Sequence, residues 1–243
     1  MQLNPNLPLV MRDVRIYDIE ACHYTILKNR GFDLSHIDMN DKLGRNIKFG
    51  QMMRDNPRLT SLLRNTTESI INDYITTNRI KDNEIVIRQY DGLILTKKLD
   101  ITNIGHVPLE MRQVLNIMIC SIKRNSYISI DSEENLKIKG VAHRYDAMNE
   151  VYRQLCLTQD VTAIARFERL QKIKDDFFSS DDSKLFGIPN RNKKFNVFLL
   201  GYGELEVSES TLKIMDTEDI DKEKYFKFYI EPFTKSIVTD ALG

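Results

Sequence analysis

Two aspartates stand out by type and by position. Asp18 closes the β-prone run VRIYDI at residues 14–19, and Asp91 sits in the Tyr90-Asp91-Gly92 tip between two further β-prone runs. Carboxylates at neighbouring strand ends repel each other, and a divalent cation such as Mg²⁺ or Mn²⁺ relieves that repulsion. Two such ions support phosphoryl or nucleotidyl transfer. Aspartates in turns and at strand ends also serve ordinary α+β proteins by bonding local backbone alone, so the pair needs its surroundings to acquire meaning.

The elements that must position the two carboxylates follow from periodicity. After the strand at residues 14–19, the segment ACHYTILKN carries apolar residues at helical spacing. Polar residues break the pattern between Gly31 and Gly50, which predicts a loop or small lobe. From Pro57, the spacing Leu59, Leu62, Leu63, Ile70, Ile71, Tyr74 predicts an amphipathic helix ending near Asn78. EIVIRQYDGLILTKKL reads as a β-hairpin turning at the DG pair, with Asp91 at its tip. A helix is expected from Pro108 to about Ile119, then a second hairpin from SYISI and NLKIKGV around the acidic turn Asp131 to Asn135. Beyond Tyr145 the pattern becomes helical, over about 146–157 and 162–178. A loop near Pro189, a strand NVFLLGYG and a last helix from about Asp221 to Ala241 complete the chain. This is an α+β order: an antiparallel sheet with packed helices over residues 1–145, then a mainly helical region over 146–243.

Composition narrows the class. The chain has 243 residues, 42% of them hydrophobic, with 35 basic and 35 acidic side chains, which describes a folded protein and gives no net attraction to nucleic acid or membrane. Charge is placed unevenly, however: residues 12–64 hold ten Lys or Arg against seven Asp or Glu, and residues 203–243 hold five against ten. Three widely spaced cysteines, Cys22, Cys120 and Cys156, form no CxxC pair and suit a reducing cytoplasm. No apolar run approaches the ~20 residues of a membrane span, and the first residues lack the pattern of a signal peptide. His36, His106 and His143 have no metal-ligand spacing. Gly201-Tyr202-Gly203 lacks the remainder of a dinucleotide loop, and the NRNKK run reads as a solvated loop.

Four segments, in order, resemble family B DNA polymerases. Tyr17-Asp18-Ile19-Glu20-Ala21-Cys22-His23-Tyr24-Thr25-Ile26-Leu27 is similar to motif A, a strand-end Asp followed by a small residue, a sugar gate and a helix. Tyr90-Asp91-Gly92-Leu93-Ile94-Leu95 is similar to motif C. Lys123-Arg124-Asn125-Ser126-Tyr127, with Ile138-Lys139-Gly140-Val141, resembles the palm segment that meets primer-template DNA. Residues 220–226 with Ile230-Glu231-Pro232 resemble a closing thumb helix. The resemblance implies a palm-like domain over 1–145 with a rudimentary fingers insertion at about 31–56, and a thumb-like region over 146–243. It implies that Asp18, Asp91 and the Ile19 main-chain carbonyl hold two Mg²⁺ or Mn²⁺ ions. It further implies that His23 and Arg54 meet the nucleoside triphosphate and that Lys123, Arg124, Tyr127 and Lys139 contact the nucleic-acid backbone.

The chain departs from that pattern in four ways. No exonuclease domain precedes motif A, so proofreading is not expected. Only about Gly31 to Asn56 is available for fingers, with Lys42, Arg45, Lys48 and Arg54 as candidate substitutes for the triphosphate-binding side chains. Gln89 replaces the first motif C Asp, and His23 replaces the gate Tyr. The expectation is thus a minimal palm-and-thumb polymerase with the economy of a viral or phage protein, acting in the cytoplasm or a host's cytoplasm. The alternatives are an inactive DNA-binding accessory or one subunit of a divided polymerase working with another replisome protein, and an unrelated α+β interaction domain.

Overall fold

In the computed structural model, which describes residues 3–141, 146–179, 194–208, 210–211 and 220–242, the run VMRDVRIYDI forms strand β1 (Val10–Ile19). The chain then turns through Ala21, whose φ of 45° lies in the left-handed region, into helix α1 (Cys22–Asn29). A small side chain limits the steric cost of that conformation. Helix α2 (Lys42–Asp55) starts where the Asp41 carboxylate accepts the Gly44 amide at 2.9 Å. Helix α3 (Pro57–Thr77) starts where Asn56 accepts the Arg58 amide, with Pro57 in the first turn. Then come β2 (Ile85–Arg88), β3 (Gly92–Leu95), β4 (Asn103–Ile104), β5 (Val107–Ser121), β6 (Ser126–Asp131) and β7 (Leu136–Lys139). Helices α4 (Asp146–Leu157) and α5 (Ala163–Ser179), the ribbon β8 (Lys194–Leu199) and β9 (Gly203–Ser208), and helices α6 (Lys222–Tyr225) and α7 (Glu231–Leu242) follow.

The fold is α+β. Sheet order is β2-β3-β1-β5-β6-β7 with β4 beside β5, and antiparallel registers join β1 to β3, β2 to β3, β5 to β6 and β6 to β7. The chain divides into two compact units, residues 1–7 with 14–114 and residues 8–13 with 115–243. In the first unit, Tyr17 and Ile19 of β1, Ile26 and Leu27 of α1, Leu63, Ile71 and Tyr74 of α3 and Leu93 and Leu95 of β3 share one core. The Tyr74 hydroxyl ties α3 to the β4–β5 turn: it accepts the Ile104 amide at 3.0 Å and reaches the carbonyls of Thr102 and Val107. In the second unit, Ile128, Ile130 and Ile138 pack with Met148, Tyr152 and Leu155 of α4 and with Ile230, Phe233 and Ile237 near the C-terminus. Because the second hairpin shares this core, the unit division falls inside β5 and not at residue 145.

Three sequence expectations are corrected. Residues 108–119, expected to be helical, lie within the fifteen-residue strand β5. PLEMR resembles a helix start, but LNIMICS is apolar on both faces and therefore suits a strand covered on both sides, pairing Ile119 with Ile128 and Cys120 with Tyr127. Residues 31–50, expected as a loop or small lobe, are not a loop throughout, since they contain most of α2. That helix buries only Phe49, so its apolar period is faint. The last helix is interrupted by a π turn at Phe226–Ile230 between α6 and α7. The loop around Pro189, the basic run up to Lys193 and His143 lie outside the described residues. Among the described residues, no helix is long and apolar enough to cross a membrane.

Candidate functional site

Within the first unit, β1 and β3 bring the two aspartates together. Asp18 is the register partner of Gly92, the residue after Asp91, and the Ile19 amide donates to the Asp91 main-chain carbonyl at 2.8 Å. The DG turn is required by this approach. A Cβ on Gly92 would collide with the Tyr17 carbonyl oxygen and sit 3.3 Å from an Asp18 carboxylate oxygen. Ile19 puts its side chain in the core, leaving its main chain beside the aspartates.

The two aspartates line an open cleft of about 620 Å³ whose walls also carry Ile19, Glu20, His23, Lys42, Arg45, Tyr90 and Arg112. Burial, and then the negative charge of Asp91, hold the Asp18 carboxyl above the usual carboxylate range. Arg112 and Lys42 pull the other way. Arg112 is itself fixed by Glu110 at 2.8 Å and lies 3.9 Å from Glu20. His23 stands edge-on between Phe49 and Tyr90, with ring centroids 5.9 Å away on each side. Burial lowers its pKa against the opposing pull of Asp91, so the imidazole is neutral at pH 7. Behind it, the Cys22 sulfur lies 3.6 Å from the Thr67 hydroxyl. Burial pushes that thiol up to about 11, leaving it no nucleophilic role at neutral pH.

The remaining expected site residues fall elsewhere. Arg54 is in the last turn of α2 and does not line the cleft; Lys42 and Arg45, at the opposite end of that helix, do. In the second unit, Lys123 and Arg124 occupy the short turn between β5 and β6 and line a separate cleft of about 440 Å³ with Lys227 and Lys235. The Arg124 guanidinium stacks 4.4 Å from the centre of the Phe228 ring. Lys139 is exposed on β7. Its register partner Tyr127, expected to touch nucleic acid, is 0% exposed and packed in the core. A side chain so placed cannot reach a backbone phosphate. Its hydroxyl has no hydrogen-bond partner among the described residues, and burial together with Cys120 pushes its pKa up to about 12.

Arg112 and Glu20 are the site residues that sequence reasoning missed. Glu20 stands two positions beyond Asp18 and was available to the eye. Arg112 was hidden by the helical reading of residues 108–119, because only a strand beside β1 carries it to the carboxylates.

No family model matches the sequence, and no curated protein matches it. Among solved structures, the chain is similar to the family B DNA polymerase from the hyperthermophilic archaeon Pyrobaculum calidifontis, with a TM-score of 0.50, 10% sequence identity, 97% of this chain and 45% of that chain covered. The chain therefore spans less than half the length of the polymerase it matches, and at this identity the likeness is one of fold.

Proposed function

We propose that the chain is a polymerase-like nucleotidyltransferase that adds nucleotides to a primer-template in a reaction dependent on Mg²⁺ or Mn²⁺. The observation that carries this reading is the cleft in which Asp18, at the end of β1, and Asp91, in the turn that leads into the paired strand β3, lie close enough for the Asp91 charge to oppose ionisation of Asp18. Such a pair fits a hard divalent cation. Among the described residues no group of three His, Cys, Asp or Glu side chains could hold a metal, and two carboxylates suffice when substrate phosphates complete the shell, as is usual for Mg²⁺. Asp18, Asp91 and the Ile19 carbonyl would hold the ions, which when bound activate a primer hydroxyl and stabilise the leaving pyrophosphate.

The other residues of the cleft have matching tasks. Lys42, Arg45 and Arg112 supply donors for triphosphate oxygens. Neutral His23, clamped between two aromatic rings, presents an uncharged surface to the sugar. Lys123, Arg124 and Lys139 serve as phosphate contacts of the primer-template, and Arg54 contributes charge at the edge of the nucleotide's approach. Three buried, unpaired thiols suit a cytoplasmic setting.

One observation favours a second reading, a non-catalytic DNA-binding accessory or subunit of a larger polymerase: Arg112 already offsets the Asp18 charge without a metal. Primer extension separates the two. The enzyme incorporates nucleotides with Mg²⁺ or Mn²⁺, and Asp18→Asn or Asp91→Asn lowers the rate at least ~100-fold, the equivalent of about 3 kcal/mol of lost transition-state stabilisation. Primer-template binding without incorporation selects the accessory.

A further inference from the structure

A second groove of about 500 Å³ shares a wall with the carboxylate cleft, because Tyr90 lines both. Its other walls include Arg64 and Glu68 from one face of α3 and Arg88 and Gln89 from the end of β2. Arg88 is aimed by its neighbour: its Nη2 donates to the Asn72 side-chain oxygen at 2.8 Å, two turns along α3 from Arg64. Among the described residues neither arginine forms an ion pair, and both are exposed. Glu68 is the one acidic group on these walls. Tyr90 is 46% exposed, while its hydroxyl lies 3.5 Å from the Thr67 oxygen and its ring meets His23 edge-on, so the residue is positioned from one side and open on the other.

We infer that this groove takes an unpaired nucleic-acid strand, with phosphates on Arg64 and Arg88 and a base against Tyr90. Two unpaired cations in an open groove attract a phosphodiester chain, and an aromatic ring fixed at its rim accepts the face of a base whatever its sequence. A duplex keeps its bases stacked on one another and cannot offer such a face. A free nucleotide offers one base and no continuing backbone, whereas a strand repeats base and phosphate along the groove. That the strand continues from here to the carboxylates rests on the nucleotidyl-transfer reading; the binding itself does not.

The test is fluorescence anisotropy of a labelled short oligo-dT with the full chain in a metal chelator, with a blunt duplex of the same length and free dTTP as competitors. The wild type is expected to bind oligo-dT better than either competitor. Arg64→Gln combined with Arg88→Gln is expected to weaken binding about tenfold or more and to flatten the log-log salt slope by about 1.4, the share of two phosphate contacts on a single strand. Tyr90→Leu is expected to weaken binding at every salt concentration without changing that slope. Unchanged oligo-dT affinity in the arginine variant, equal competition by duplex or dTTP, or no binding by the wild type overturns the inference. Arginine-dependent binding by a protein that incorporates no nucleotide leaves the groove standing and removes the proposed activity. Incorporation combined with arginine-independent binding does the reverse.

Discussion

Asp18 carries a cost as well as a task. Its carboxyl is held above the ordinary range by burial and by Asp91, so folding raises the affinity of the group for a proton. A carboxyl with a raised folded pKa contributes stability that is fully present below its unfolded value, near 3.8, and is lost as pH rises through the folded value. At pH 7 the ionised group therefore works against folding. Asp18→Asn is expected to raise the melting temperature of the metal-free protein at pH 7 and to lose that advantage at low pH, measured by thermal denaturation across the range. A variant less stable than wild type at pH 7 would contradict the assigned burial. Asp18 and Asp91 were legible in the sequence because strand-forming runs and a DG turn leave an aspartate few other places to stand. Arg112 was not, since its role depends on which strand lies beside β1, a long-range choice that local pattern does not encode.

The elements around the site depend on one close backbone approach. Gly92 lets β3 lie against the Tyr17 carbonyl and Asp18, and any side chain there must push the hairpin away from β1. Gly92→Ala is expected to destabilise the protein by about 1–3 kcal/mol, the usual range for overpacking, read from denaturant midpoints, and to impair activity more than a change of that size elsewhere. A neutral substitution would mean the strands do not approach as described. Hairpins and long helices were readable because their signals are local: the DG turn between IVIR and GLIL, and the Pro57 start of α3 behind the Asn56 cap. The strand β5 defeated the same reasoning because an apolar run buried on both faces has no period of its own. Helix α2 was missed for the opposite reason, with Phe49 alone buried among its polar residues.

For the whole molecule, the balanced charge of 35 basic and 35 acidic residues leaves recognition to particular clefts and not to a general field. The three cysteines belong to the interior of the units: all are free and buried, with thiols pushed up to about 11 for Cys22 and about 12 for Cys120 and Cys156. Iodoacetamide at mildly alkaline pH is expected to label the native protein far more slowly than the unfolded chain, and reductant is expected to leave the melting temperature unchanged; rapid native labelling would show an open interior. The α+β class followed from the order of elements, whereas the division of the chain inside β5 did not, because it depends on the second hairpin sharing its core with the C-terminal helices. What ties these scales together is the claim that two aspartates, one on β1 and one in the turn entering its partner β3, hold the metal for nucleotide addition. Primer extension by wild type, Asp18→Asn and Asp91→Asn, with Mg²⁺, Mn²⁺ or chelator, measures it directly. The result expected is metal-dependent incorporation by the wild type and loss in both variants. Incorporation that survives either substitution, or none by the wild type with either metal, contradicts it.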